Sequence, residues 1–136
     1  MEDCIFCKII KGEIPSEKIY ENERVLAFLD IAPVNIGHTL VIPKEHYANI
    51  FETPEETLTE MLKVTKKVGI AIKTQMRADG VNININNDSA AGQIVFHLHI
   101  HIIPRLKDDG FSMWYGKRPY DDGEMSIVAN KIIAGL

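Results

Sequence analysis

The sequence predicts an α+β domain: an antiparallel sheet of about five strands, one long helix and a short helix near the N-terminus. Three observations carry that prediction. FHLHIHIIPR (96–105) alternates histidine with aliphatic residues, which is the period of a strand. VNININND (81–88) alternates asparagine with Val81, Ile83 and Ile85, one turn upstream. From Thr53 towards Ala78, apolar residues recur at helical spacing behind an N-terminal capping pattern.

CIFCKIIK (4–11) places Ile5, Phe6, Ile9 and Ile10 near one side of a short helix, which Gly12 and Pro15 end. KIYENE (18–23) reads as a strand turning at Asn22-Glu23, and RVLAFLDI (24–31) as a strongly apolar strand. Ala32 to Gly37 is a loop, and HTLVIP (38–43) a third strand closed by Pro43. In the long helix, Thr53 is the expected cap, Pro54 suits the first helical position and Glu56 completes a capping box. Leu58, Met61, Leu62, Thr65, Val68, Ile72 and Met76 form its core stripe, and Lys63, Lys66, Lys67 and Lys73 its solvated face. The helix is expected to stop near Ala78, before Gly80.

The strand 81–88 follows, NDSAAGQ turns the chain, and the histidine strand runs until Pro104, which lacks an N–H. Two successive strands with one polar face each pair as an antiparallel hairpin, which sets asparagines beside imidazoles. Beyond Pro104 the chain turns polar and irregular, with Trp114 and Tyr115 inside that stretch. EMSIVANKIIAGL (124–136) closes it as a helix that offers Met125, Val128, Ile132 and Ile133 to the body.

A chain of 136 residues fits one domain with a real core. A net charge of −4 argues against a general nucleic-acid binder, which is usually basic. No apolar run approaches the roughly 18–20 residues of a membrane span. The first residues, MEDCIFCKIIKGEIP, start acidic and are broken by Lys8 and Lys11, unlike a signal peptide. The reading is a cytoplasmic protein. Its two cysteines, Cys4 and Cys7, are spaced C-x-x-C. A reducing compartment argues against a disulfide, and the βαβ context of a thioredoxin-like redox motif is missing. A metal reading needs two more ligands, which histidine must supply.

His97, His99 and His101 hold three of the five histidines on one strand face. Three readings compete: the polar side of a half-exposed strand, a metal site, or a catalytic row with one imidazole as nucleophile or base.

The pattern H-h-H-h-H-h-h, with h apolar, stands at His97–Ile103 and is preceded by Gly92-Gln93. Upstream are DIAPVNIGHTLVIPKEH and CIFCKIIKGEIP. Together these resemble the histidine triad (HIT) family, in its branch of nucleotide phosphoramidases and nucleotidyl hydrolases. The likeness runs from Cys4 to Arg105, so residues 1–136 are expected to form a single HIT domain with a motif-bearing core (4–105) and a C-terminal segment (106–136). It implies a HIT-like fold and a homodimer whose two sheets join.

The resemblance also implies a substrate with a nucleoside monophosphate unit, and a base pocket walled by aliphatic residues favours a purine by size. The bond between the α-phosphorus of that unit and a phosphoramidate, acyl or polyphosphate leaving group is cleaved through a nucleotidyl-histidine intermediate. On that likeness His99 is the nucleophile, and His101 and His38 serve the same phosphate. Asn86 and Gln93 match positions that contact phosphate or leaving group. Ile94 stands where many relatives carry Ser or Thr, whose hydroxyl reaches the phosphate. Asp30 matches the carboxylate that accepts from the ribose, and Ile5, Phe6, Ile9, Phe28 and Leu29 match the walls around the base. Related members with the N-terminal C-x-x-C point to a structural zinc on Cys4, Cys7, His46 and His97. Two alternatives stand beside this reading: a nucleotide-binding regulatory dimer with little turnover, and an enzyme holding one zinc on all three triad histidines.

Overall fold

A computed structural model describes residues 3–112 and 116–136. Its elements are α1 (Ile5–Ile10), β1 (Lys18–Glu21), β2 (Val25–Leu29), β3 (Thr39–Pro43), α2 (Glu55–Gln75), β4 (Gly80–Asn84), β5 (Ile100–Arg105) and α3 (Glu124–Ala134). The five strands form one sheet in the order β1-β2-β3-β5-β4, and every neighbouring pair is antiparallel. The expected α+β class, strand number and β4–β5 pairing all hold.

The apolar runs of β2 and β3 are explained by burial on both faces. Val25, Ala27 and Val41 pack with Leu98, Ile100 and Ile102 under Met61, Val64, Val68 and Ile72 of α2. Leu26, Phe28, Leu40 and Ile42 face the other way and are covered by Phe6 and Ile9 of α1. This second layer is thin, one helix of six residues, and the histidines lie at its border.

Four sequence expectations are corrected. Thr53 does not cap α2: Pro54 holds that position, with no side-chain cap bond. The Thr53 hydroxyl instead donates back to the Asn49 carbonyl, closing a 3-10 turn, and Glu56 pairs with Arg24 across to the β1–β2 turn. Leu62 and Met76 are exposed, because the buried stripe runs through Val64 and Gly69 instead.

Pro104 does not end β5. Its backbone lies beyond the last β3 partner, where Thr39 meets Ile102, so its missing N–H costs no ladder bond. Finally, α3 buries none of its residues against this chain, and Met125, Ile132 and Ile133 are exposed. Trp114 and Tyr115 lie outside the described residues. None of the described helices is long and apolar enough to cross a membrane.

Candidate functional site

The histidine row keeps its alternation but only partly as a ladder. Regular pairing starts at Ile100, so His97 and His99 sit just ahead of β5 and His101 within it, opposite Asn84. Leu98, Ile100 and Ile102 go to the α2 side. The imidazoles go to the α1 side, where the Phe6 ring stands edge-on to His97 and His99 at 5.8 and 5.1 Å between centroids.

Main-chain groups decide which nitrogen of each ring carries the proton. A carbonyl only accepts, so His99 Nδ1–H donates to the His97 carbonyl at 2.7 Å. Its Nε2 is left with a lone pair, which is the nucleophilic tautomer. The Val34 N–H donates to His38 Nδ1 at 3.1 Å, which puts the His38 proton on Nε2. That Nε2–H donates to His101 Nδ1 at 2.9 Å, and neutral His101 must then carry its proton on Nε2. The site thus offers a lone pair on His99 beside an N–H donor on His101, with ring centroids 4.9 Å apart.

All these rings are held neutral. Burial is the main cause in each case, pushing His101 down to about 4 and His38 and His99 below the ordinary range. Asp30 opposes this weakly. Its Oδ2 lies 3.7 Å from His38 Nε2, and its Oδ1 accepts from the Ala32 N–H.

His97 belongs to a different constellation. Its Nε2–H donates to the Pro43 carbonyl at 2.8 Å, which turns Nδ1 towards Cys4, Cys7 and His46. The ligand atoms of these four residues lie within 4.8 Å of one another. Nδ1 of His97 is 3.4 Å from Cys4 Sγ, 3.6 Å from Cys7 Sγ and 3.1 Å from His46 Nδ1, and Cys7 Sγ is 3.4 Å from His46 Nδ1. A tetrahedral zinc with ordinary bond lengths needs edges of about 3.3 Å between nitrogens and about 3.6 Å between nitrogen and sulfur. The donor set and its spacing fit that ion. Burial drives His97 down to about 4 and raises Cys7, aided by the neighbouring Cys4. Two half-buried thiols gather here with the half-buried imidazole of His46 and the fully buried one of His97, a soft donor set of the kind zinc takes. The three triad histidines do not converge on a single metal: His97 turns to the cysteines, while His38, His101 and Asp30 form a second group.

The remaining expected residues are distributed around these rings. Phe6, Ile9 and Phe28 are core, and the Phe6 and Phe28 rings meet edge to face at 5.6 Å. Ile5 and Leu29 are exposed at its margin. Asn86 lies past the end of β4, next to Gly92, and accepts from Asn84. Ile94 is 88% exposed. The Gln93 amide is not presented to the histidines. It is buried, accepts from the Asp88 N–H, and gives both its protons to the carbonyls of Ala48 and Val95 at 2.6 and 3.1 Å. A backbone carbonyl fixing the His99 tautomer is what an attacking imidazole requires, and His97 supplies it; sequence reasoning missed the groups at Val34 and Pro43 that assign the other protons, and no residue-type signal marks them. It also missed Asn84, whose Oδ1 is buried without a partner among the described residues.

The HIT domain family model matches residues 11–108. A curated relative from Bacillus subtilis (strain 168), named Protein hit, is 52% identical over 115 residues, covering 83% of this chain and 79% of its own. Another, from Arabidopsis thaliana, is named adenylylsulfatase HINT3. It is 46% identical over 107 residues, covering 79% of this chain and 54% of its own. Among solved structures, one from Streptococcus mutans UA159 superposes with a TM-score of 0.94 at 43% identity, covering 99% of this chain and 86% of that one. A zinc-bound histidine triad family protein from Mycobacterium smegmatis gives 0.78 at 37% identity, covering 99% of both.

Proposed function

Because the chain belongs to the HIT domain family, we propose that it is a nucleotide-binding hydrolase that cleaves a purine nucleoside monophosphate unit from its leaving group. The observation that carries this reading is the pair of fixed tautomers: a lone pair on His99 Nε2 beside a proton on His101 Nε2. His99 Nε2 attacks the α-phosphorus, forming a P–N bond as the bond to the leaving group breaks. His101 Nε2–H donates to a phosphate oxygen or to the departing atom. Water then attacks the nucleotidyl-histidine, releases the monophosphate and restores the lone pair. Splitting the transfer in two suits imidazole, a competent nucleophile near neutral pH.

On this reading Asp30 accepts from the ribose, Ile5 and Leu29 flank the base, and Asn86 contacts the phosphate. The name of the Arabidopsis relative agrees with cleavage at an adenylyl phosphorus. The exposed side chain of Ile94 supplies no hydroxyl, which keeps a regulatory nucleotide-binding dimer with little turnover as the second reading.

Cys4, Cys7, His46 and His97 would hold one structural zinc, in line with the zinc-bound relative. Bound there, zinc supplies a cross-link from α1 to the sheet and leaves no open position for water. We further place the chain in a homodimer, since Leu62 and Ile70 on α2 and Ile83 on edge strand β4 are exposed apolar residues.

The test is hydrolysis of adenosine 5′-phosphoramidate by wild type and His99→Ala. The expected result is turnover in the wild type and none in the variant, with nucleotide binding retained. Turnover in His99→Ala would falsify the nucleophile, and absence of turnover in both would favour the regulatory reading.

A further inference from the structure

We propose that Asn35, Asp109 and Arg105 form a positioning strut that fixes the proton on His38 and, through it, the donor on His101. The catalytic consequence rests on the hydrolase reading; the geometry does not.

Two bonded imidazoles have two proton arrangements. In one, His38 Nε2–H donates to His101 Nδ1. In the other, His101 Nδ1–H donates back, the His38 proton moves to Nδ1, and His101 Nε2 becomes a lone pair. The Val34 N–H points at His38 Nδ1 from 3.1 Å, so the second arrangement would set two protons against each other. The position of Val34 therefore chooses the donor at the active site.

Val34 belongs to the loop between β2 and β3, which has no ladder of its own. The loop is closed at its base by Asp30 N–H to the His38 carbonyl, and at its tip by His38 N–H to the Asn35 carbonyl. Gly37 makes the turn at φ +101°, where a Cβ would strike Met76 at 2.9 Å. Beside the His38–His101 bond itself, the side chain of Asn35 ties the tip to the open end of the β4–β5 hairpin. Its Nδ2 donates to the Pro104 carbonyl at 2.9 Å and to Asp109 Oδ2 at 3.0 Å. The Pro104 carbonyl is available because β3 no longer pairs there.

Asp109 is built to receive that bond. Its side chain is 7% exposed and accepts from Arg105 Nε and Nη2, from the N–H groups of Leu106 and Phe111, and from Asn35. These donors hold its carboxyl far below the usual range, the Arg105 guanidinium first among them. Arg105 also donates from Nη1 to Asn82 on β4. Through Arg105 the carboxylate thus joins both strands of the hairpin, near its open end, to the loop that carries Val34. A carboxylate with this many donors is anchored far more firmly than an open surface ion pair.

The experiment uses the full-length chain, uniformly labelled with nitrogen-15. Long-range imidazole spectra recorded at neutral pH without substrate report which nitrogen of His38 is protonated. The expected result is Nε2–H in the wild type and a mixture of tautomers in Asn35→Ala and in Asp109→Asn, the second of which keeps the shape of the side chain. With adenosine 5′-phosphoramidate, Asn35→Ala should lower kcat about tenfold, the effect of one weakened transition-state contact, and leave KM within about twofold. An Asn35→Ala spectrum identical to that of the wild type overturns the strut, as does a fall in kcat without a tautomer change. A tautomer shift in a protein whose wild type has no turnover supports the strut and sinks the hydrolase reading.

Discussion

Gln93→Ala separates two roles for one residue. The resemblance gives Gln93 to the phosphate or leaving group. The structure commits its amide elsewhere, to Asp88, Ala48 and Val95, in a setting where the side chain is 4% exposed. Removing it deletes three hydrogen bonds of 2.8, 2.6 and 3.1 Å and leaves buried backbone groups to find other partners. At about 0.5–1.5 kcal/mol for each bond, the loss is on the order of 2–4 kcal/mol. A domain of this size loses roughly 3 °C of Tm per kcal/mol, so the midpoint should fall by about 10 °C. The assay is calorimetric unfolding with zinc kept in excess, alongside kcat and KM at a temperature where the variant is folded. A Tm drop of less than about 2 °C, together with complete loss of turnover, would refute the bracing role and restore the direct contact.

Three further outcomes follow from particular positions. Ile94→Ser supplies a hydroxyl where the chain has none. As Ile94 is 88% exposed, the change should leave Tm almost unmoved and raise kcat/KM on phosphoramidates, with about 1–3 kcal/mol available; an equal or lower kcat/KM contradicts it. Arg77 ends α2 at φ +50°, with the Ala78 N–H closing back on the Lys73 carbonyl, a place that suits glycine. Arg77→Gly should therefore gain about 0.5–1 kcal/mol in denaturant unfolding, and a loss would show that the arginine side chain matters more than its backbone. The third concerns pH. His99 attacks only when neutral, and burial holds its pKa below 6.5. In a pH–rate profile the acid-side midpoint of kcat/KM should fall below 6.5, whereas a midpoint at or above 6.5 contradicts a buried nucleophile. Folding stability should behave in parallel: His101 favours the neutral folded state, so its contribution is whole above 6.5 and is lost as pH falls towards about 4.

Side-chain pattern made much of this molecule legible. Alternation in 81–88 and 96–105 announced a polar-faced hairpin, and the register that sets Asn84 against His101 is what that alternation requires. The apolar walls of β2 and β3 were visible because a strand buried on both faces has no room for polar residues. The long helix was visible in its period but not in its start. Thr53 and Glu56 satisfy a capping pattern, yet both had better partners outside the helix, in Asn49 and Arg24.

Around the site, residue type indicated the candidate histidines but not the whole proton arrangement, because the Val34 N–H and the Pro43 carbonyl assign the tautomers of His38 and His97. Gln93 shows the reverse: a polar residue near a reactive row reads as a contact, while the fold gives its amide to Asp88, Ala48 and Val95. The Asp109 network left no periodic trace, since it joins residues from three separate stretches of chain.

The claim that matters most is that His99 becomes covalently nucleotidylated. It is tested by mixing the protein with an adenosine phosphoramidate, quenching within the first turnover and measuring intact mass, then mapping the adduct by peptide fragmentation. The account predicts a single added adenylyl group located on His99 and absent from His99→Ala. An adduct on His101 or His38, or rapid turnover with no adduct at any quench time, would contradict it.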